Sequence, residues 1–129
     1  MVVIYVIGAV LALLFLLQLA MVFRARMQQG KEAPRLSGAY GEAASAAGRS
    51  LFYFHSPSCA ACRPMTPVVK DLTVKHPRVF SIDVTKEMDT ARRFGIMGTP
   101  SSVIIEGGRI VAFLLGPQSR EKLDRMLST

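Results

Sequence analysis

The stretch LFYFHSPSCAAC, residues 51–62, joins an apolar run to a pair of cysteines. Leu51–His55 is continuously apolar and aromatic, which is typical of a strand buried on both faces of a sheet. Cys59 and Cys62 follow it, where the pattern turns helical. The N–H groups at the start of a helix stabilise a thiolate, and a spacing of three residues brings the second sulfur near the first. The stretch therefore predicts redox catalysis, with Cys59 as the nucleophile and Cys62 resolving a mixed disulfide.

A pair of cysteines at this spacing also occurs in metal sites. A structural zinc site takes four ligands, and this chain has 2 Cys and 2 His. His55 lies shortly before Cys59, whereas His76 lies beyond the predicted helix. The alternative interpretation is therefore a metal-handling or metallochaperone module that uses Cys59, Cys62 and His55. The redox interpretation needs no metal and no cofactor, because the electrons reside in the two sulfurs.

The rest of the chain alternates between helical and extended patterns. Helices are predicted at Tyr40–Ala47, Ala60–Lys75 (interrupted by Pro64 and Pro67), Lys86–Phe94 and Arg120–Leu127, and further strands at Val79–Val84, Ser101–Glu106 and Arg109–Leu115. Thr85 and Ser119 are candidate helix caps, and Gly107-Gly108 is a hairpin signal. This order predicts an α/β core with helices on both faces and an antiparallel hairpin at one edge.

The first residues predict a membrane anchor. Val2 to Phe23 contains Gln18 as its one strongly polar side chain, and all 16 Lys and Arg and all 9 Asp and Glu lie beyond this run. As a helix the run spans about 33 Å, enough to cross a bilayer core of about 30 Å. We therefore predict a single-pass transmembrane anchor at 1–23, a polar linker at 24–39 and a folded domain at 40–129.

A cleaved signal peptide is the rival interpretation of the apolar run. It would require a basic region before the run and small residues at a cleavage site. No basic side chain precedes the run, and Ala20-Met21-Val22 is a poor cleavage site. The pattern therefore favours an uncleaved anchor in a cell (inner) membrane.

The basic residues bear on orientation and on partners. Arg24, Arg26 and Lys31 follow the apolar run closely. The positive-inside rule therefore predicts a cytoplasmic domain, with a periplasmic domain as the alternative. The net charge of +7 is scattered, its longest basic run being Arg92-Arg93, so the sequence predicts no nucleic-acid partner.

Several motifs together carry a resemblance to a known family. They are the SPSCAACR segment, Pro67 after the second cysteine, Gly98-Thr99-Pro100 before the hairpin, and Gly116 before the last helix. With them, residues 40–129 resemble the thioredoxin family. The resemblance implies a thioredoxin-like fold, a central mixed sheet flanked by helices. It also implies that Pro100 is a cis proline against the disulfide, that Thr99 and Pro100 bind substrate, and that Pro67 kinks a helix.

The chain departs from the family pattern around the cysteines. Ser58 stands where thioredoxin has Trp, and Ala60-Ala61 replaces its Gly-Pro. The buried Asp of the family falls on Tyr53, and the Lys that often accompanies it falls on Val79. The usual proton acceptor for the resolving cysteine is therefore missing. A water molecule or His55 is the candidate proton relay in its place, and His55 suits the role because an unperturbed imidazole exchanges protons near neutral pH.

The resemblance implies a protein-disulfide oxidoreductase with protein thiols and disulfides as substrates. A reductase or an oxidase must recycle the cysteine pair. The direction of electron flow stays open, because the potentials of related proteins span about −270 to −120 mV and Ala-Ala matches neither the thioredoxin nor the disulfide-isomerase pattern. A non-catalytic adaptor with the same fold, acting through its anchor and surface, is a further alternative.

Overall fold

The computed structural model describes residues 1–28 and 30–128. Its helices are α1 (Val2–Gln28), α2 (Gly38–Ser45), α3 (Met65–Lys75), α4 (Met88–Phe94) and α5 (Arg120–Ser128), with a 3₁₀ turn at Ala60–Cys62. Its strands are β1 (Arg49–His55), β2 (Val79–Asp83), β3 (Ser101–Glu106) and β4 (Arg109–Leu115). The predicted alternation of helices and strands is confirmed.

The four strands form one mixed sheet in the order β2-β1-β3-β4. β1 runs parallel to β2 and antiparallel to β3, and β3 and β4 form the predicted antiparallel hairpin. Gly107 and Gly108 make its turn with φ values of 56° and 80°, a conformation that favours glycine at both positions. The hairpin places β4 at one edge of the sheet, as the sequence predicts.

Both faces of the sheet are covered, which explains the continuous apolar run in β1. Successive side chains of a strand point to opposite faces. Phe52 and Phe54 therefore pack on one face with Phe94 of α4, at ring-centroid distances of 5.3 and 5.1 Å. Leu51 and Tyr53 pack on the other face, in a cluster whose helical members are Met65, Val69 and Leu72 of α3 and Leu123 and Leu127 of α5.

Two helix starts differ from the sequence predictions. Thr85 does not cap α4, because its N–H and hydroxyl both donate to Oδ1 of Asp83, at 2.9 and 2.6 Å. That turn delays the helix until Met88. Helix α2 likewise lies two residues earlier than predicted. The predicted cap at Ser119 is confirmed, since its Oγ accepts the N–H of Lys122 at 3.3 Å.

The predicted helix 60–75 is divided into two pieces. The 3₁₀ turn ends at Cys62, and α3 starts at Met65 directly after Pro64. Pro67 therefore lies in the first turn of α3 and does not kink its interior. Pro67 is tolerated at this position because the first N–H groups of a helix have no acceptor within the helix, so a proline there removes no hydrogen bond.

The polar stretch after the apolar run is partly structured. Helix α1 extends to Gln28, and Glu32 pairs with Arg109 in an antiparallel bridge. Because β4 is an edge strand, its outer N–H and C=O groups are free to bond with such a segment. Over Val2–Arg24, α1 has a mean hydropathy of 2.8 and is long and apolar enough to cross a membrane, a test that a signal sequence also passes.

Candidate active site

Cys59 and Cys62 form a disulfide, with their Cα atoms 5.3 Å apart. Both lie just beyond the end of β1, where the chain leaves the sheet. The Sγ of Cys59 accepts a hydrogen bond from the backbone N–H of Cys62 at 3.1 Å. Donation by a backbone N–H favours the charged form of a sulfur. The local fold can therefore stabilise a thiolate at Cys59.

The two cysteines differ in their access to solvent. The Cys62 side of the bond is buried, with 3 % of the residue exposed, whereas Cys59 is only partly covered. The difference follows from their positions, since Cys59 ends the loop after β1 and Cys62 turns inward ahead of α3. A partner protein can therefore reach Cys59 more readily than Cys62.

The sheet register brings Thr99 and Pro100 to the same end of the domain as the cysteines. Ser101, the first residue of β3, lies opposite Phe54 near the end of β1. The Thr99–Pro100 peptide bond is cis, as the resemblance implied for Pro100. The Pro100 carbonyl oxygen accepts the N–H of Gly116 at 2.9 Å, which ties this loop to the end of β4.

Tyr53 occupies the position where the family has a buried acid, and it lies beneath Cys62. Only 1 % of Tyr53 is exposed, and its hydroxyl donates to the carbonyl oxygen of Cys62 at 3.3 Å. The Thr66 hydroxyl donates to the same oxygen at 3.1 Å. Burial raises the pKa of Tyr53, and a smaller effect from the Thr66 hydrogen bond lowers it. Tyr53 is therefore a neutral donor at physiological pH, unlike a carboxylate.

His55, the candidate proton relay, ends β1 beside Tyr53. The two rings stack with centroids 5.4 Å apart and an interplanar angle of 21°. Across the strand pair His55 lies opposite Asp83, whose pKa is lowered mainly by hydrogen bonds from Thr85 and slightly by the charge of His55. Among residues 1–28 and 30–128, no hydrogen bond joins the imidazole to either cysteine.

Two polar residues near the site were missed from the sequence. Thr66 is one, although its position four residues after Cys62 on a helical pattern would place its hydroxyl near that carbonyl. Ser102 is the other: it lies opposite Tyr53 on β3, is fully buried, and its Oγ has no hydrogen-bond partner in the described part of the chain. Nothing in a strand pattern signals such an unpartnered hydroxyl.

The geometry does not assemble the predicted metal ligands. Within the described ranges, no group of three or more His, Cys, Asp or Glu side chains is placed to hold a metal ion. His55 therefore does not join Cys59 and Cys62 as a third ligand. The arrangement instead offers two bonded sulfurs, one of them accessible, which is the requirement for thiol–disulfide exchange.

Comparisons with known proteins agree with this chemistry. The thioredoxin family model matches residues 37–129. The chain is 33 % identical over 81 residues to a thioredoxin of Alicyclobacillus acidocaldarius, covering 60 % of this chain and 77 % of that protein. It superimposes on oxidised mitochondrial thioredoxin 3 of Saccharomyces cerevisiae with a TM-score of 0.59 and 19 % identity, covering 69 % of this chain and 85 % of the other.

A second solved structure, the reduced thioredoxin pre-protein of Schistosoma mansoni, gives a TM-score of 0.55 at 28 % identity, over 63 % of this chain and 77 % of that one. The match to the family model begins after α1 and includes both cysteines. Because the family model covers well over half of the chain and the cysteine pair is bonded, this protein belongs to the thioredoxin family and is a thiol–disulfide oxidoreductase.

Proposed function

We propose that this protein is a membrane-tethered oxidoreductase that exchanges disulfides with protein substrates through Cys59 and Cys62. The observation that carries the proposal is the bonded pair with unequal access: Cys59 is reachable, and Cys62 is 3 % exposed. A nucleophile must meet a foreign sulfur, whereas a resolving thiol needs to meet only its neighbour. The unequal exposures therefore support Cys59 as the attacking sulfur and Cys62 as the resolving one.

The exchange balances in two steps. The Cys59 thiolate attacks one sulfur of a substrate disulfide, whose S–S bond breaks, and the departing substrate thiolate takes up a proton. The Cys62 thiol then loses its proton and attacks the Cys59 sulfur, which releases the second substrate thiol and forms the Cys59–Cys62 bond. The substrate gains two electrons and the pair loses two. The reverse sequence oxidises a substrate, and a reductase or oxidase restores the pair.

Thr99 and Pro100 are the proposed substrate-binding residues. They lie at the cysteine end of the sheet, in a loop held by the bond from Gly116 to Pro100 and by the Ser101 hydroxyl, which donates to the Gly98 carbonyl at 2.6 Å. A loop held on both sides keeps its remaining backbone groups in place for an extended partner chain. His55 is the proposed proton relay, since it is the titratable side chain next to Tyr53.

The tether is the remaining part of the proposal. Support comes from the apolar span Val2–Arg24, whose every side chain is exposed to its surroundings and would contact lipid. We assign residues 1–23 to the anchor, 24–39 to the connection and 40–129 to the catalytic domain. The basic residues after the span favour a cytoplasmic domain, with the periplasm as the alternative. A reporter fused to the C-terminus and active on one side only distinguishes the two.

The test of the exchange function is a trapping experiment in cells. Cys62→Ser removes the resolving thiol, so mixed disulfides with protein substrates should accumulate through Cys59. Cys59→Ser and the double variant are matched controls and should trap nothing. Absence of adducts, together with no insulin reduction by the pre-reduced full chain, would overturn the enzyme proposal. A phenotype that survives loss of both cysteines would favour the adaptor, and stoichiometric metal retained through dialysis would favour metal handling.

A further inference from the structure

The end of the apolar helix is held close to β4, the edge strand of the sheet. The N–H of Gly30 donates to the carbonyl oxygen of Ile110 at 2.7 Å, and the N–H of Ile110 donates to the carbonyl oxygen of Lys31 at 2.9 Å. The N–H of Ala33 donates to the carbonyl oxygen of Gly108 at 2.8 Å. Because Gly30 is two residues after Gln28, their Cα atoms are at most about 7 Å apart. The last turn of α1 is therefore close to β4.

The direction of this pairing determines where α1 goes. From Gly30 to Ala33 the chain runs antiparallel to β4, toward the hairpin turn at Gly107-Gly108. The residues before Gly30 consequently lie toward the opposite end of β4, which finishes at Leu115. That end carries the loop with Pro100, bonded to Gly116. Helix α1 thus leaves the domain on the side of the cysteines.

A cavity lies between the last turns of α1 and the domain, and its lining shows which surfaces are next to each other. It has a volume of about 570 Å³ and is lined by Met21, Arg24 and Met27 of α1, which share one helix face, and by Met97 and Leu115 of the domain. Met97 is 51 % exposed and comes just before Gly98-Thr99-Pro100. The same loop that carries the proposed substrate-binding residues therefore begins beside the membrane-spanning helix.

The height of this contact along α1 coincides with the expected membrane surface. The apolar span ends at Arg24, midway between Met21 and Met27, which are about 9 Å apart along the helix axis. Three cationic side chains, Arg24, Lys31 and Arg92, line the same cavity. Cations at this depth are attracted to anionic lipid head groups.

We propose that the active-site end of the domain faces the bilayer, so that its substrates are cysteines of membrane proteins at the level of the lipid head groups. The inference rests on the proposed tether and on the exchange chemistry given above. A freely tethered domain would behave differently, because a flexible connection at 24–39 would let the domain turn in any direction and reach tens of Å from the membrane surface. The pairing of 30–33 with β4 removes that freedom.

The orientation can be measured without any activity, since the chain contains 0 Trp. Met97→Trp places a single fluorophore at the proposed lipid-facing loop, and Val74→Trp places one at a site that is 90 % exposed near the far end of α3. The full chain is reconstituted in phosphatidylcholine vesicles with a minority of phosphatidylglycerol and head-group spin labels. The spin label should quench most of the tryptophan fluorescence of the Met97→Trp variant and little of that of the Val74→Trp variant. Equal quenching of the two would overturn the orientation.

A lengthened connection is the matched control. About twelve Gly and Ser residues inserted after Gln28 leave the pairing of 30–33 with β4 intact and add an average reach of about 19 Å. The insertion should abolish the excess quenching of Met97→Trp. The same residues appended to the C-terminus should not. Quenching that is unaffected by the internal insertion would show that the loop binds lipid on its own, and would overturn the role assigned to the α1 connection.

The substrate class is tested by single turnovers of the pre-reduced full chain. Two membrane-spanning peptides are placed in the same vesicles. One carries its disulfide directly outside the apolar segment, and the other carries its disulfide far out on a flexible tail. The near disulfide should be reduced about tenfold faster, and the internal insertion should remove most of that preference. Equal rates for the two peptides would overturn the inference and leave the oxidoreductase intact, provided insulin is still reduced. If the near disulfide, the far disulfide and insulin are all left unreduced, the proposed function is overturned as well.

Discussion

The Tyr53 hydroxyl donates a hydrogen bond to the backbone carbonyl oxygen of Cys62 across 3.3 Å, within a core where Tyr53 is 1 % exposed. The bond links the middle of β1 to the turn that carries Cys62. Its donor is a phenol at a position where the family has an acid. A phenol at this position holds the turn by hydrogen bonding, whereas a carboxylate would accept protons from the thiol. In the proposed exchange, deprotonation of the Cys62 thiol would therefore need a different proton acceptor.

Tyr53→Phe removes this bond and keeps the ring. The free energy of unfolding should fall by about 1 kcal/mol, since a buried carbonyl loses one of its two donors. Urea denaturation of the full chain in detergent, at neutral pH, measures the difference. An unchanged midpoint would show that Thr66 alone holds the Cys62 carbonyl.

The pH dependence of that difference provides a second measurement. Because burial raises the pKa of Tyr53 above its ordinary value of 10.0, the folded state binds the phenol proton more tightly than the unfolded state. This contribution to stability is complete below pH 10.0 and is lost as the pH rises through the folded pKa. The advantage of the native chain over Tyr53→Phe should therefore shrink only above pH 10.0, and a loss that begins near neutrality would contradict the assignment.

Ser102→Ala should not cause the loss of stability that is predicted for Tyr53→Phe. The Ser102 hydroxyl is buried and has no hydrogen-bond partner among residues 1–28 and 30–128. Removing an unpartnered buried hydroxyl relieves a desolvation cost, and the small void left behind offsets part of the gain. We expect the free energy of unfolding to stay constant or to rise by up to about 1 kcal/mol in the same urea experiment. A clear loss would show that the hydroxyl has a stabilising partner.

Alkylation of the reduced protein tests the assignment of the two cysteines. Iodoacetamide at neutral pH should modify Cys59 at least about tenfold faster than Cys62, because Cys62 is buried and its N–H donates to the Cys59 sulfur. Mass spectrometry of the digested chain gives both rates. In urea the ratio should approach one. Equal rates in the folded protein would remove the basis for distinct attacking and resolving roles.

Asp124 links α5 to the end of α3 and predicts an acid-sensitive contact. Its carboxylate accepts from Lys75 Nζ at 2.8 Å and lies 2.8 Å from Nε2 of His76. Lys75, and to a lesser extent His76, lower the pKa of Asp124 below its ordinary value of 3.8. The contribution of this carboxylate to stability is therefore present above pH 3.8 and is lost as the pH falls through the folded pKa.

Asp124→Asn should consequently lose stability at neutral pH, and its deficit relative to the native chain should close below pH 3.8. Thermal unfolding as a function of pH measures the effect. Asp71→Asn is the matched control, because the Asp71–Arg120 pair joins the same two helices at 3.2 Å but both side chains are more than half exposed. An exposed pair contributes little. A deficit of Asp124→Asn that does not change with pH would contradict the ion-pair explanation.

Local patterns in the amino-acid sequence were enough to predict the alternation of helices and strands, the Gly107-Gly108 hairpin, the cap at Ser119 and the redox pair after β1. Each depends on neighbours within a few positions, where periodicity, capping and backbone conformation act directly. The same patterns were wrong about Thr85, because its hydroxyl bonds to Asp83 and closes a turn instead of starting the helix. Competition between two local hydrogen-bonding patterns is not visible in residue type alone.

Contacts between distant segments were decided by tertiary structure. The hydrogen bond from Tyr53 to the Cys62 carbonyl, the position of Ser102 opposite Tyr53 and the pairing of Gly30 and Ala33 with β4 all depend on residues that come together only when the sheet forms. Hydrophobic periodicity says which face of a strand is buried, but the partner that a buried hydroxyl meets and the segment that covers an open sheet edge depend on how the completed elements pack. For this protein, residue order set the redox chemistry, and packing set how Cys62 is held and which segment covers the edge of β4.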